Sequence, residues 1–146
     1  MTKAKRLPKK QYEYFYSKVP RLAVDLVIQS SDGIVLSKRD IPPAKGKWHL
    51  PGGSILFGEN IYQTIDRIAK EETELSVTMD KLLGIIEYSK ENAIGQSIAL
   101  VYLVHPKKGT LTGSWQADKI SYFTNLPKNT IKELGKFLVE NKLIRR

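Results

Sequence analysis

The sequence predicts an α+β fold in which a mixed β-sheet lies between helices, a three-layer arrangement. Apolar patterns run along the chain in the order helix, strands, helix, strands, helix, which fits such layering. The strand-like segments are short and β-branched, whereas the helical ones repeat their apolar residues every three or four positions. At 146 residues and 41% hydrophobic side chains, the chain is long enough for one domain with a core, too short for two and too apolar for disorder.

Composition narrows the chemistry. Cysteine is absent, so there is neither a disulfide framework nor a thiolate metal site. No apolar run approaches a membrane span and the N-terminus lacks a signal-peptide core, so we expect a cytoplasmic protein with no membrane partner. The net charge of +9 favours anionic partners: nucleotides, phosphate esters or nucleic acid. Much of it sits at the ends, in Lys3, Lys5, Arg6, Lys9 and Lys10 and in Arg145-Arg146, which read as solvated tails. Neither a helix-turn-helix pattern nor an aromatic RNA-binding motif accompanies them, so nucleic acid is not the expected partner.

Residues 1–20 read as a basic tail and a short N-terminal helix, with a tyrosine-rich segment at 11–19 ended by Pro20. Residues 21–146 then form the domain. Segments 22–29 and 34–38 are strands joined by the hairpin turn Ser30-Ser31-Asp32-Gly33. Asp25 interrupts the first strand. Alternation gives it a solvent-exposed face as the first reading, and a pocket as the second. Lys38-Arg39 close the second strand ahead of a loop at 41–47 with no helix or strand pattern. An arginine beside a glycine-bearing loop suits phosphate, because its planar fork donates two parallel hydrogen bonds. A solvated strand end is the competing reading.

Residues 48–75 organise the rest. Trp48-His49-Leu50-Pro51-Gly52-Gly53 is an extended approach to a glycine turn whose backbone can come close to a ligand. A helix is predicted from Glu59, whose carboxylate favours the positive end of the dipole, to Leu75. Ile61, Ile65 and Ile68 form its apolar face, and the next residue of that stripe is Glu72. A carboxylate there needs a partner or a cation. Glu71 lies beside it, and two adjacent acids suit a hard divalent ion. Arg67 stands four residues before Glu71 and eight after Glu59, so it can pair with either. The competing reading is a solvated helix with surface ion pairs. Further on, 82–88, 97–104 and 120–124 read as strands, His105-Pro106 as a strand end, and Ile131, Leu134, Phe137 and Leu138 as the stripe of a last helix.

Gly53, Glu59, Arg67, Glu71, Glu72 and Leu75 fall at the offsets of the Nudix box, G-x5-E-x7-R-E-U-x-E-E-x-G-U with U apolar, and the chain resembles that family. Two positions depart: Ile68 stands where the family usually has Glu, and Glu74 where it usually has Gly. The resemblance implies the Nudix α/β/α sandwich, with the box as its loop–helix motif. Within the family the chain is most similar to the GDP-mannose mannosyl hydrolase branch, through the N-terminal helix leading to Pro20, Asp25-Leu26-Val27-Ile28, Lys38-Arg39 and Pro43-Ala44-Lys45-Gly46-Lys47-Trp48. That branch also lacks the Glu at the position of Ile68.

The likeness implies Mg²⁺, with Mn²⁺ as an alternative, held by a carbonyl of Gly52 or Gly53, by Glu72 with Glu71 as second candidate, and by Gln116. It makes Arg39, Glu59, Arg67 and Glu71 the catalytic set, with Arg39 steadying the diphosphate. Asp25, Lys38, Arg39 and Trp48 are the substrate-binding candidates. Ala117 replaces the branch's general-base His, and Ser54 replaces an Arg that helps bind nucleotide. Glycosyl C–O cleavage and attack on phosphorus both stay open, with Glu71, Asp118 or hydroxide on the cation as candidate bases. The expected function is a Mg²⁺-dependent hydrolase of a nucleoside diphosphate linked to another group, with a GDP-mannose-like nucleotide sugar favoured. The alternatives are a nucleoside triphosphate pyrophosphatase and a catalytically weakened nucleotide- or RNA-binding domain. A homodimer is a candidate assembly.

Overall fold

The computed structural model describes residues 5–91, 93, 95–113 and 117–146, with residues 117 and 118 described by their backbone. Its elements are α1 (Lys9–Tyr16), β1 (Arg21–Ser30), β2 (Gly33–Arg39), β3 (Trp48–His49), β4 (Gly52–Ser54), α2 (Ile61–Thr73), β5 (Ser76–Tyr88), β6 (Ser97–Lys108), β7 (Ala117–Phe123) and α3 (Lys132–Glu140). The strands form one mixed sheet along the path β3-β2-β1-β6-β5, with β4 added to β1 and β7 to β2. β1 runs parallel to β6 and antiparallel to β2 and β4.

Ala23 to Ile28 of β1 are buried without a break, the mark of a central strand covered on both faces. Val24, Leu26 and Ile28 pack with Ile65, Ile68 and Ala69 of α2, while Val27 packs in the cluster that holds Leu134 and Leu138 of α3. This is the expected three-layer arrangement. It also corrects the first reading of Asp25. With helices over both faces, alternation along β1 no longer separates inside from outside, and Asp25 is only 8% exposed.

The helix of the box begins later than the sequence suggests. Asn60 is its N-cap: Gln63 N–H donates to Asn60 Oδ1 at 2.9 Å and Asn60 N–H donates to Gln63 Oε1 at 3.0 Å, a capping box. Glu59 therefore precedes the helix and does not sit in its first turn. At the other end Glu74 caps α2 in the left-handed region, φ 60° and ψ 16°, where a side chain costs on the order of 1 kcal/mol relative to glycine. Glu74→Gly is accordingly expected to raise Tm by a few degrees in a thermal melt.

β6 continues through His105-Pro106 to Lys108, where a strand end was expected. The proline is tolerated because β1 pairing has ended at Val104 and the β5 register shifts opposite it, between Ser76 and Val77. His105 is structural. Its Nδ1 lies 3.1 Å from Gln29 O, and its Nε2 lies 2.9 Å from Asp80 Oδ2. Among the described residues no helix is long and apolar enough to cross a membrane.

The sheet makes room for a site by splitting. β1 and β2 pair only beside their turn, at Gln29↔Ile34 and Ser30↔Gly33. Gly33, at φ +117°, turns the chain there, and a Cβ on it would stand 2.2 Å from Phe123 O. Away from the turn the two strands part. β4 takes the edge of β1 at Ala23 to Asp25, and β3 takes that of β2 at Ser37 and Lys38. A cavity lies in the split.

Candidate active site

The cavity holds about 490 Å³ and is walled by β1, the end of β2, β3, β4, the cavity face of α2 and the N-terminal arm. Arg67 ties the box together. Its Nε donates to Glu59 Oε2 at 2.7 Å, and its Nη2 donates to Glu59 Oε1 at 2.9 Å and to Ser54 O at 2.7 Å. Glu59 Oε1 also accepts from Leu56 N–H at 2.9 Å and from the Thr64 hydroxyl at 3.2 Å. One guanidinium therefore fastens the glycine strand, the loop and the helix. Burial pushes the Glu59 carboxyl up, but the bonds from Arg67 and Leu56 outweigh it and hold it below the usual range.

With the loop fixed, Glu71 and Glu72 line the cavity beside Gly52 and Gly53. Arg67 Nη1 reaches Glu71 Oε2 at 3.4 Å, and Arg6 donates to the same oxygen. Gly52 faces Asp25 across the β1–β4 pair, and a Cβ on it would fall 2.1 Å from Asp25 Oδ1. No other residue allows that approach. Two neighbouring carboxylates beside close-packed main chain are oxygen donors that suit a hard divalent cation. Among the described residues no three His, Asp or Glu side chains converge on one point.

Across the cavity stand Arg39 and Arg21. Arg39 Nε donates to Pro43 O at 2.6 Å and to Ile41 O at 3.2 Å, folding the 41–47 loop around it. Burial lowers its proton affinity, Glu72 raises it, and Arg21 lowers it again, so Arg39 senses both Glu72 and the second arginine. Arg21 is held by neutral hydroxyls, Nε on Ser97 Oγ and Nη1 on Ser54 Oγ, each at 3.0 Å. Neither arginine has an acidic oxygen within 4 Å among the described residues. His49 is driven down to about 4 by burial, against its bond to Leu50 O and with help from Arg39. Leu50 O, 2.6 Å away, can only accept, so Nδ1 carries the proton and Nε2 is the basic nitrogen.

Asp25 forms the floor. Tyr88 Oη donates to its Oδ2 at 2.5 Å. Burial lifts the Asp25 carboxyl from 3.8 to about 6, against the pull of Tyr88 and Arg21. Its folded value is raised, so the favourable contribution is complete below 3.8 and is lost as pH rises through 6. At neutral pH the buried charge then costs about 3 kcal/mol. Asp25→Asn keeps an acceptor for Tyr88 and removes the charge. It is expected to gain about 1–3 kcal/mol at pH 7 and almost nothing at pH 4, in urea titrations at the two pH values.

Of the residues singled out by the sequence, Asp25, Arg39, Gly52, Gly53, Arg67, Glu71 and Glu72 line this cavity, and Glu59 reaches it through Arg67. Lys38 and Trp48 do not line it. Lys38 pairs with Trp48 and Lys119 across the sheet, and the Trp48 ring packs edge-on against Phe123 at 4.8 Å beside the α3 core. Gln116 lies outside the described residues, while the backbone of Ala117 pairs with Arg39. Ile68 is a core residue whose side chain lines the cavity beside Gly53. Sequence reasoning missed Arg6, Arg21 and His49, and the bond from Tyr88 to Asp25. Their partners lie far along the chain, apart from His49, which no motif marks.

A sequence model of the NUDIX domain matches residues 19–133. An ADP-ribose pyrophosphatase of Methanocaldococcus jannaschii is 34% identical over 111 residues, covering 75% of this chain and 66% of that protein. The low-salt glycan biosynthesis protein Agl8 of Haloferax volcanii is 36% identical over 83 residues, covering 57% of this chain and 53% of its own. The matches thus span between about half and two thirds of those relatives' lengths. The crystal structure of a MutT NUDIX hydrolase from Burkholderia pseudomallei superposes with a TM-score of 0.74 at 22% identity, covering 87% of this chain and 99% of that one, so the folds agree. With the domain match spanning most of the chain and the box folded as one braced loop–helix unit, the chain belongs to the Nudix family.

Proposed function

We propose that the chain is a divalent-cation-dependent hydrolase of a nucleoside diphosphate linked to another group, with Mg²⁺ or Mn²⁺ as the ion and a nucleotide sugar as the favoured substrate. The observation that carries this reading is the pairing of opposite charges in one cavity. Glu71 and Glu72 face it from α2, and Arg39 and Arg21 face it from the sheet. A diphosphate bridging a cation and two guanidiniums needs that arrangement. The two relatives point the same way, one named for ADP-ribose and one for glycan biosynthesis.

In this reading Glu72, Glu71 and a carbonyl of Gly52 or Gly53 hold the ion, which when bound neutralises phosphoryl charge and orients water. Arg39 and Arg21 bind diphosphate oxygens. Glu59 and Arg67 keep the acid pair in place and do not touch substrate. His49, neutral at working pH, joins Glu71 and Asp118 as a candidate base. Ala117 removes the His that C–O cleavage uses in the mannosyl hydrolase branch, which favours attack on phosphorus.

The test is turnover with Mg²⁺ in ¹⁸O-labelled water over nucleotide sugars, ADP-ribose and nucleoside triphosphates, with products read by mass. Label in a phosphate product supports attack on phosphorus. Label in the sugar moves the chemistry to carbon. Nucleotide binding with no turnover of any substrate overturns the hydrolase reading and leaves a binding domain.

A further inference from the structure

The N-terminal arm brings a cation into the acid pair. Lys5, Arg6 and Leu7, with Tyr12 and Tyr16 of α1, wall the cavity, yet α1 buries none of its residues. The arm is therefore lightly attached. Arg6 donates to Glu71 Oε2, the Tyr12 hydroxyl stands 3.4 Å from Ser54 Oγ, and Tyr16 O packs against Gly95. Glu71 Oε2 thus accepts from two guanidiniums, and they are not equally held. Arg67 is anchored by Glu59 and by Ser54 O and is 18% exposed, whereas the Arg6 side chain is 60% exposed.

We propose that Arg6 is a built-in competitor for the divalent cation: the arm closes over Glu71 through Arg6, and cation binding releases it. This rests on the reading that Glu71 belongs to the cation site. A divalent ion at Glu71 repels both guanidiniums, and the exposed one on the lightly held arm is the one that leaves. Linkage makes the effect reciprocal. Arm closure weakens the apparent cation affinity by the fraction of molecules that are closed, and the cation opens the arm by the same factor. An exposed ion pair of this kind sets that factor at about three to five. The wall of the cavity would then loosen as the ion arrives, so cation loading and substrate entry are coupled through one side chain.

The experiment titrates Mn²⁺ into the full chain and its Arg6→Ala and Glu71→Gln variants, reading free Mn²⁺ by electron paramagnetic resonance, and follows amide exchange over residues 9–16. Arg6→Ala is expected to bind Mn²⁺ about three- to fivefold more tightly. In the wild type, Mn²⁺ is expected to speed amide exchange in the arm. In both variants exchange is already fast and does not respond to the ion. Equal Mn²⁺ affinity in wild type and Arg6→Ala, with arm exchange unchanged by the ion, overturns this inference alone. No Mn²⁺ binding by any of the three proteins overturns the cation reading and the inference with it.

Discussion

Glu72→Gln is expected to lower kcat/KM by about three orders of magnitude while leaving Tm nearly unchanged. The amide keeps the size of the side chain but removes the negative charge that a divalent ion requires. A cation acting on a phosphoryl group supplies several kcal/mol of transition-state stabilisation, and about 4 kcal/mol corresponds to roughly a thousandfold in rate. Arg39 loses a counter-charge at the same time, because Glu72 is what raises its proton affinity against burial and Arg21. The loss should be larger than for Glu71→Gln, since Glu71 is 44% exposed and already shared between two arginines. Steady-state kinetics beside a Mn²⁺ titration separates the two parts. Wild-type turnover in a folded Glu72→Gln protein would remove Glu72 from the cation site.

Arg67→Ala should act on the fold as well as on the site, lowering the unfolding free energy by about 3 kcal/mol. Glu59 is 6% exposed at its side chain and Arg67 18%, so this pair is far drier than an ordinary surface bridge. Removing the guanidinium strands a buried carboxylate with only the Leu56 amide and the Thr64 hydroxyl as donors. Breaking a buried pair in this way costs about 3–5 kcal/mol, and partial exposure of Arg67 argues for the lower end. For a domain of this size the melting point should fall by roughly 10 °C.

The pH dependence follows from the lowered Glu59 carboxyl. Its contribution is present above the ordinary value of 4.5 and fades as pH falls through the lower folded value, so wild type and Arg67→Ala should converge in acid. Adding Glu59→Gln to Arg67→Ala should recover part of the loss, because the stranded charge goes with it. Calorimetry of the four proteins at neutral and acid pH measures both effects. Additive losses in the double variant would mean that the two side chains act independently.

The brace was legible because it is periodic. Arg67 and Glu71 stand four apart on α2, and helix geometry brings such positions onto one face whatever the rest of the chain does, while Glu59 reaches Arg67 from the loop just before the helix. The apolar stripe of Ile65 and Ile68 was legible for the same reason, as were the hairpin at Gly33 and the stripe of Ile131, Leu134 and Leu138. The start of α2 was misplaced although its signal was present. Asn60 and Gln63 form a capping box, which leaves Glu59 outside the helix to meet Arg67.

By itself, then, the sequence determined the local elements and the box, whose partners are near in the chain. Only the tertiary structure decided which chemistry surrounds the box. Asp25 meets Tyr88 across 63 residues, Arg21 meets Ser54 across 33, and Arg6 meets Glu71 across 65. It also separated Arg39, which lines the cavity, from Lys38 and Trp48, which lie in the sheet and against the core. The physical reason is the split between β1 and β2. Where a central strand is covered on both faces and loses a neighbour, the alternation of its residues no longer tells core from cavity, and pairing with distant strands settles it.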